Sequence, residues 1–352
     1  MEKMKLINEP LPIALLMVFL FLSCSKNDST NPVMSVDNAK LDEAFSQAEQ
    51  IANLKSLVVS YNGKIIKEAF YNDGSAVAAH DVRSVTKSVV GLLIGIAIDK
   101  GFIKSIDQPI GDYISPLVEN LSTEKANIKI RHLLTMSSGF EWEELISVSG
   151  YNNWITSANQ VQYLIDKPLT SQPGEVFTYN SAALHLLSVI ISRASGMKTL
   201  DFAKLYLFDS LGISNSVWSV EKQGFNNGGA GLQINPHDMI KIGQLILNRG
   251  EYDGKRIVSS QWIDQIITSK ISTNNVMPFT DGYGYCWWTG QSSKGNYCFA
   301  NGYGGQFIVV VPKLNLVVVA TNAWSGVESS SANDQWYKTI NLIQSLIIPA
   351  FN

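Results

Sequence analysis

The sequence predicts an α/β chain of the α+β type. One antiparallel sheet is flanked by N- and C-terminal helices and interrupted by a large inserted helical subdomain over about residues 84–270. Three observations predict this. Two short strand-like runs near the start stand on either side of Tyr61-Asn62-Gly63, which is a hairpin signal. From about Ile106 to Lys270 the segments read as helices separated by Gly-, Ser- and Asn-rich loops. Strand-like runs return only from Gly284 onward. Two N-terminal and four C-terminal strands therefore belong to one sheet, and the helical middle is an insertion.

Taken in order, Asn38 to Leu54 is an amphipathic helix, because Leu41, Phe45, Ala48, Ile51 and Ala52 recur at helical spacing. Ser56–Ser60 and Lys64–Tyr71 are the arms of the first hairpin. The run Val89, Val90, Leu92, Leu93, Ile94, Ile96, Ala97 and Ile98 is a helix apolar on nearly every side, hence a buried one. Helices follow over Ile130–Met136, Gln160–Asp166, Ala182–Ser195, Leu200–Ser210, Pro236–Asn248 and Ser260–Ser269. Strands are expected over Gly284–Trp288, Tyr297–Ala300, Gln306–Val311 and Leu316–Thr321. The last two are continuous apolar runs, as central strands are. Asn333–Ile348 closes the chain as a helix.

With 45% hydrophobic and 16% charged residues among 352, the chain can bury a substantial core. Its net charge of -3 and the lack of any Lys/Arg-rich block argue against nucleic acid as a partner. Lys3 and Lys5 followed by the apolar run Leu11–Leu22, twelve residues long, read as a signal peptide over residues 1–23. Phe21-Leu22-Ser23-Cys24 resembles a bacterial lipoprotein cleavage site, although Leu22 stands where a small residue is usual. Residues 24–37 are then a lipidated polar tether and residues 38–352 the folded domain. The expected localisation is export, with lipid on Cys24 anchoring the chain to a membrane. Tyr285–Trp288 and Asn296–Phe299 look like arms of a hairpin centred on position 292, which would set Cys286 opposite Cys298. Either a disulfide or two buried thiols fits that placement. No Cys-x-x-Cys or His-Glu-x-x-His occurs, and no metal or cofactor is expected.

Three stretches carry chemistry. The first is Ser84-Val-Thr-Lys87, at the start of the buried helix. A Ser and a Lys three residues apart share one helix face. The hydroxyl meets the positive end of the helix dipole, and the amine, set against apolar side chains, is disfavoured as a cation and can act as a base. The spacing Ser-x-x-Lys occurs five times in the chain, so context alone singles this pair out. A plain helix N-cap at Ser84, with Lys87 reaching water, fits the four letters equally well. The second stretch is Pro173-Gly-Glu-Val-Phe-Thr-Tyr179-Asn-Ser181, which puts a phenol on the loop before a helix. A neighbouring cation would lower that phenol's pKa from ~10 and let it relay protons, while a packing Tyr179 with Ser181 as N-cap is the simpler alternative. The third is Phe299-Ala-Asn-Gly302-Tyr303-Gly304-Gly305-Gln306, where glycines between two strands permit close backbone approach.

On these elements and in this order, the three stretches resemble the serine β-lactamase and penicillin-binding-protein superfamily. The resemblance is closest to its class C-like branch, which includes esterases, D-amino-acid peptidases and 6-aminohexanoate oligomer hydrolases. His132-Leu-Leu-Thr-Met-Ser-Ser-Gly139, Gly228-Gly-Ala-Gly-Leu232 followed by Asp238, and Tyr283-Gly-Tyr-Cys-Trp-Trp288 also look like that branch. The resemblance implies a β-lactamase/DD-peptidase-like fold. It implies Ser84 as nucleophile, Lys87 as general base and Tyr179 as proton shuttle to the leaving group. It also implies an oxyanion hole from the N–H groups of Ser84 and Tyr303, with Gly302, Gly304 and Ser181 near the substrate. Two departures stand out. Tyr179-Asn180-Ser181 replaces the usual Tyr-x-Asn, and Ala300-Asn301-Gly302 stands where β-lactamases carry Lys-Thr-Gly. Without that lysine to pair with a substrate carboxylate, the expected substrate is a small ester or amide rather than a β-lactam. A D-amino-acid peptidase or carboxypeptidase acting on cell-wall fragments, and a catalytically silent peptide- or peptidoglycan-binding lipoprotein, are the competing readings. A Ser-His-Asp triad is disfavoured because no Gly-x-Ser-x-Gly elbow exists. Trp142, Trp154, Trp218, Trp287 and Trp288 read mainly as core. Pocket shape is left to the loops 141–157 and 269–281.

Overall fold

Alternation along two neighbouring strands fixes the layering of the molecule. In the computed structural model Phe307 meets Trp336 on one side of the sheet, with ring centroids 5.7 Å apart. The next residue, Ile308, faces the other side, where a Cβ on Gly243 would lie 3.1 Å from its side chain. Successive residues of a strand point to opposite faces, so helices cover both sides. This is why the strand Gln306–Val311 is buried at every position and reads as an unbroken apolar run.

The structure describes Met1, residues 35–145, Ser147 and residues 149–352, and residues 35–352 form one compact unit. Among the described residues the main sheet has eight strands: β1 (Leu54–Tyr61), β2 (Lys64–Phe70), β3 (Ile271–Ser272), β4 (Gly282–Tyr283), β5 (Trp288–Ser292), β6 (Gly295–Gly302), β7 (Gln306–Val311) and β8 (Leu316–Asn322). Their spatial order is β2-β1-β8-β7-β6-β5-β4-β3, antiparallel throughout. Five helices matter for the site: α1 (Asn38–Ala48), α2 (Val85–Asp99), α3 (Ser181–Ser195), α4 (Pro236–Leu247) and α5 (Ser329–Leu342). α1 and the end of the chain lie together, with α5, on the Trp336 side, and α4 lies against β7 and β8 on the Ile308 side. The helical stretch between β2 and β3 is the expected insertion. The α+β architecture with an inserted helical subdomain is therefore as the sequence predicts. The signal segment 1–23, Cys24 and most of the tether lie outside the described residues.

The first hairpin forms because Asn62 and Gly63 both take positive φ, 49° and 78°. That is the two-residue turn whose twist matches the strands, and Asn-Gly adopts it at low cost. α1 stops at Ala48 rather than Leu54, and Leu54 already belongs to β1. The two ends of the domain are joined: Val36 bridges Phe351, and the Asp37 N–H donates to the Ala350 carbonyl at 2.7 Å.

The expected strand over Gly284–Trp288 is instead a tight connection between β4 and β5. The Gly284 N–H donates to the Trp287 carbonyl at 2.8 Å, and Cys286 sits at φ 63°. Its apolar letters come from packing against α2, where a Cβ on Gly91 would lie 2.8 Å from Cys286 Cβ. The next hairpin turns at Ser293-Lys294, since Ser292 pairs with Gly295, and this sets Cys298 opposite Thr289 rather than Cys286. Both thiols are buried and free, so no disulfide forms between them.

Candidate active site

α2 is buried from Val85 through Ala97. Close approach drives this: Gly91 and Gly95 have no side chains where Cys286 and the Trp262 ring press in, and Trp262 Nε1 donates to the Gly91 carbonyl at 3.0 Å. Ser84 occupies the N-cap position of this helix, but its hydroxyl caps nothing. It is instead met by Lys87, whose Nζ lies 2.7 Å from Ser84 Oγ and 2.7 Å from the Gly229 carbonyl oxygen. Lys87 is 2% exposed, which excludes a lysine reaching water. Burial pulls its ammonium down from 10.5 to about 8, with Arg83 pushing the same way and Glu144, followed by Cys286, opposing. Arg83, just before the serine, holds a positive φ of 50° and lies 4.2 Å from the Trp324 ring centroid.

Tyr179 arrives from the loop before α3. Its ring stacks on Trp288 at 5.8 Å and lies 5.0 Å from Lys87 Nζ. The phenol differs from the sequence expectation. Burial first, and the Glu144 carboxylate second, push its pKa well above 10, and a hydrogen bond with Ser84 offsets this only in part. A neighbouring cation does not make it acidic; it is a protonated phenol at neutral pH, a donor beside the serine.

Asn180, not Ser181, is the N-cap of α3, accepting from the Ala183 N–H at 2.8 Å. Ser181 is fully buried and turned toward Glu144: its N–H donates to Glu144 Oε2 at 2.8 Å and its hydroxyl bonds Oε1. Trp142 Nε1 also donates to Glu144 Oε2 at 2.8 Å.

The glycine-rich stretch comes to the same place. A Cβ at Gly302 would lie 2.4 Å from the carbonyl oxygen of Val82, two residues before the serine, so only glycine lets the end of β6 approach this closely. Gly304 and Gly305 take φ of 76° and 97° in the turn to β7. Ala300 is fully buried, so the position holds no cation; the one cation among the residues that line the cleft is Arg83.

Ser84, Tyr179, Tyr303 and Gly304 line one cleft of about 600 Å³, together with Arg83, Glu144, Tyr151, Asn301, Met277 and Trp336. Ser181 and Gly302, expected near the substrate, are not among the residues that line it. His80, His132, His185 and His237 are outside it, and burial lowers the His132 and His185 imidazoles to about 4. Trp154, Trp218, Trp287 and Trp288 are core, while Trp142 and Trp336 reach cavities. Glu144 and Arg83 were not singled out by sequence. Glu144 sits in an acidic run that reads as solvated surface, and Arg83 gains its place only through the backbone turn at α2.

Comparison with known proteins gives the family and the fold. The curated relative named 6-aminohexanoate-dimer hydrolase, from Paenarthrobacter ureafaciens, is 23% identical over 316 residues, covering 83% of this chain and 79% of its own. The solved penicillin-binding protein of Bacillus halodurans superposes with a TM-score of 0.67 at 17% identity, covering 86% of this chain and 99% of its own. EstCE1, described as a hydrolase with promiscuous acyltransferase activity, gives 0.69 at 16% identity with coverage of 86% and 99%. Fold and motif order together define a protein of the serine β-lactamase and penicillin-binding-protein-like superfamily. Residues 43–338 match the family model described as Beta-lactamase, and the chain belongs to that family.

Proposed function

We propose that this β-lactamase-family hydrolase works through an acyl-enzyme on a small, uncharged ester or amide. The observation that carries the reading is the Lys87 amine, buried and depressed to about 8, held 2.7 Å from the Ser84 hydroxyl. Neutral Lys87 takes the proton as Ser84 Oγ bonds to the substrate carbonyl carbon. The N–H groups of Ser84 and Tyr303 face the developing oxyanion, where a single donor is worth ~2.7–4 kcal/mol. Protonated Tyr179 hands its proton to the departing alcohol or amine and recovers one from Lys87. Water then enters along the same path in reverse and releases the acid. The relatives named as a 6-aminohexanoate-dimer hydrolase and as a hydrolase with promiscuous acyltransferase activity support acyl-transfer hydrolysis. Ala300 in place of a lysine argues against a β-lactam.

In this reading the chain is exported and held to a bacterial membrane by lipid on Cys24. Metabolic labelling with an alkyne fatty acid is expected on the wild type and not on Cys24→Ala. For the chemistry, a screen of esters, amides and a chromogenic β-lactam should be run on wild type and Ser84→Ala in parallel, with a serine-acylating probe. Turnover and labelling are expected to vanish together in Ser84→Ala; labelling that survives would refute the assignment.

A further inference from the structure

A second cavity of about 280 Å³ adjoins the first, and Glu144, Leu145 and Tyr179 line both. Its other walls come from Trp142, Glu143, Phe177, Thr178 and Val276, so it combines apolar and aromatic side chains with two carboxylates and the Thr178 and Tyr179 hydroxyls, and no Lys, Arg or His lines it. Leu145 and Val276 are 46% and 47% exposed, leaving their faces open to an occupant. Glu144 is held by uncharged donors, the Ser181 N–H and hydroxyl and the Trp142 indole.

We propose that this chamber receives the leaving group, and that it selects an apolar alcohol or amine without negative charge. The proposal rests on the serine-hydrolase reading above. Two observations bear it. Tyr179, the residue that gives the leaving group its proton, forms part of both cavities, so the departing atom lies where the two meet. The acyl side is then left to the larger cleft, where Tyr303 and Gly304 stand beside Ser84. The lining decides the chemistry. Apolar walls gain from each buried methylene, and a carboxylate entering beside Glu144 would meet like charge with no Lys, Arg or His in the chamber's own lining to pair with. A carboxypeptidase releases an amino acid bearing just such a carboxylate, so this chamber disfavours that role.

The test uses two matched series on the full-length protein: acetate esters and acetamides of n-alkyl alcohols and amines from two to eight carbons, and ethyl esters of n-alkanoic acids. Wild type, Val276→Trp and Leu145→Trp are compared by the ratio of kcat/KM between the longest and shortest members. In wild type kcat/KM should climb roughly threefold to fourfold per methylene of the leaving group until the chamber is full. Both tryptophan variants should lower that ratio by about tenfold or more, and Val276→Trp, whose site lines the chamber and not the larger cleft, should leave the corresponding acyl-series ratio as it was. The acetate of 6-hydroxyhexanoate should be a poorer substrate than hexyl acetate by at least about tenfold. A collapse of the acyl-series ratio instead, an unmoved leaving-group ratio in both variants, or equal turnover of the carboxylate-bearing ester would each overturn the chamber's assignment while leaving the hydrolase reading intact. No turnover of any member by wild type would overturn the hydrolase reading and the chamber's role together.

Discussion

Glu144 grips Ser181 with both of its oxygens, one on the backbone N–H and one on the hydroxyl. The pair ties the loop that carries Glu144 to the N-terminus of α3, two residues beyond Tyr179. It also sets a carboxylate where it bears on both Lys87 and Tyr179.

Glu144 therefore acts through the groups around it. Glu144→Gln keeps the size and an acceptor but removes the charge that favours the Lys87 ammonium. The acid limb of kcat/KM should move to lower pH, a shift that a merely structural role would not produce. Glu144→Ala leaves the Ser181 N–H without a partner and should cost about 1–3 kcal/mol of stability, read as a lower melting temperature.

In the proposed mechanism Lys87 sets the pH profile. With its ammonium at about 8, the amine is mostly charged at pH 6 and mostly neutral at pH 9. Activity should rise about tenfold per pH unit on the acid side and level off above about pH 8. A profile flat from pH 6 to 10 would remove Lys87 from the role of base.

The same lysine makes the stability of the domain depend on pH. Its folded pKa lies below the ordinary 10.5, so the unfolded chain holds the proton more tightly. Below about pH 8 the folded state carries the full burden, about 3 kcal/mol, and this fades as pH rises toward 10.5. Lys87→Met should be inactive. Its melting temperature relative to wild type should be most favourable at pH 7 and fall steadily by pH 10; a constant difference across that range would contradict the shift.

Gly302→Ala probes the close approach of β6 to the segment before Ser84. The added methyl meets the Val82 carbonyl, which is backbone and cannot swing aside. Strand and serine must separate, at a cost of about 1–3 kcal/mol. A displacement of this kind at reacting groups can lower kcat/KM about a hundredfold. Melting and kinetics measured together distinguish a folded, impaired enzyme from an unfolded one.

Much of this was legible in the chain because local and global signals agreed. Asn62-Gly63 names its own turn, and Gln306–Val311 and Leu316–Asn322 are apolar on both faces because helices cover both. Ser84 and Lys87 were legible through the buried helix they open, and the loops around 141–157 and 269–281 do shape the cavities, through Glu144, Leu145, Tyr151, Val276 and Met277. Failures arose where apolar letters served a neighbour rather than a strand. Tyr285-Cys286-Trp287 is a turn pressed onto α2, and reading it as a strand sets Cys286 opposite Cys298, a place that Thr289 takes. Glu144 was missed because its partner, Ser181, is thirty-seven residues away, and no periodicity records that contact. Tyr179 lies beside Ser84, but its phenol stays protonated where the sequence suggests a lowered pKa, since burial outweighs the nearby cations.

The bridge between Val36 and Phe351 has a practical consequence. Because the domain begins and ends at one spot, a tag or reporter fused after Asn352 would emerge beside the segment that enters at Ser35. A circular permutant could join those ends with a short linker and open the chain elsewhere, for example at the exposed Asp253-Gly254 turn. Such a permutant would move the chain ends away from Val36 and Phe351 while keeping the cleft beside Ser84 in place.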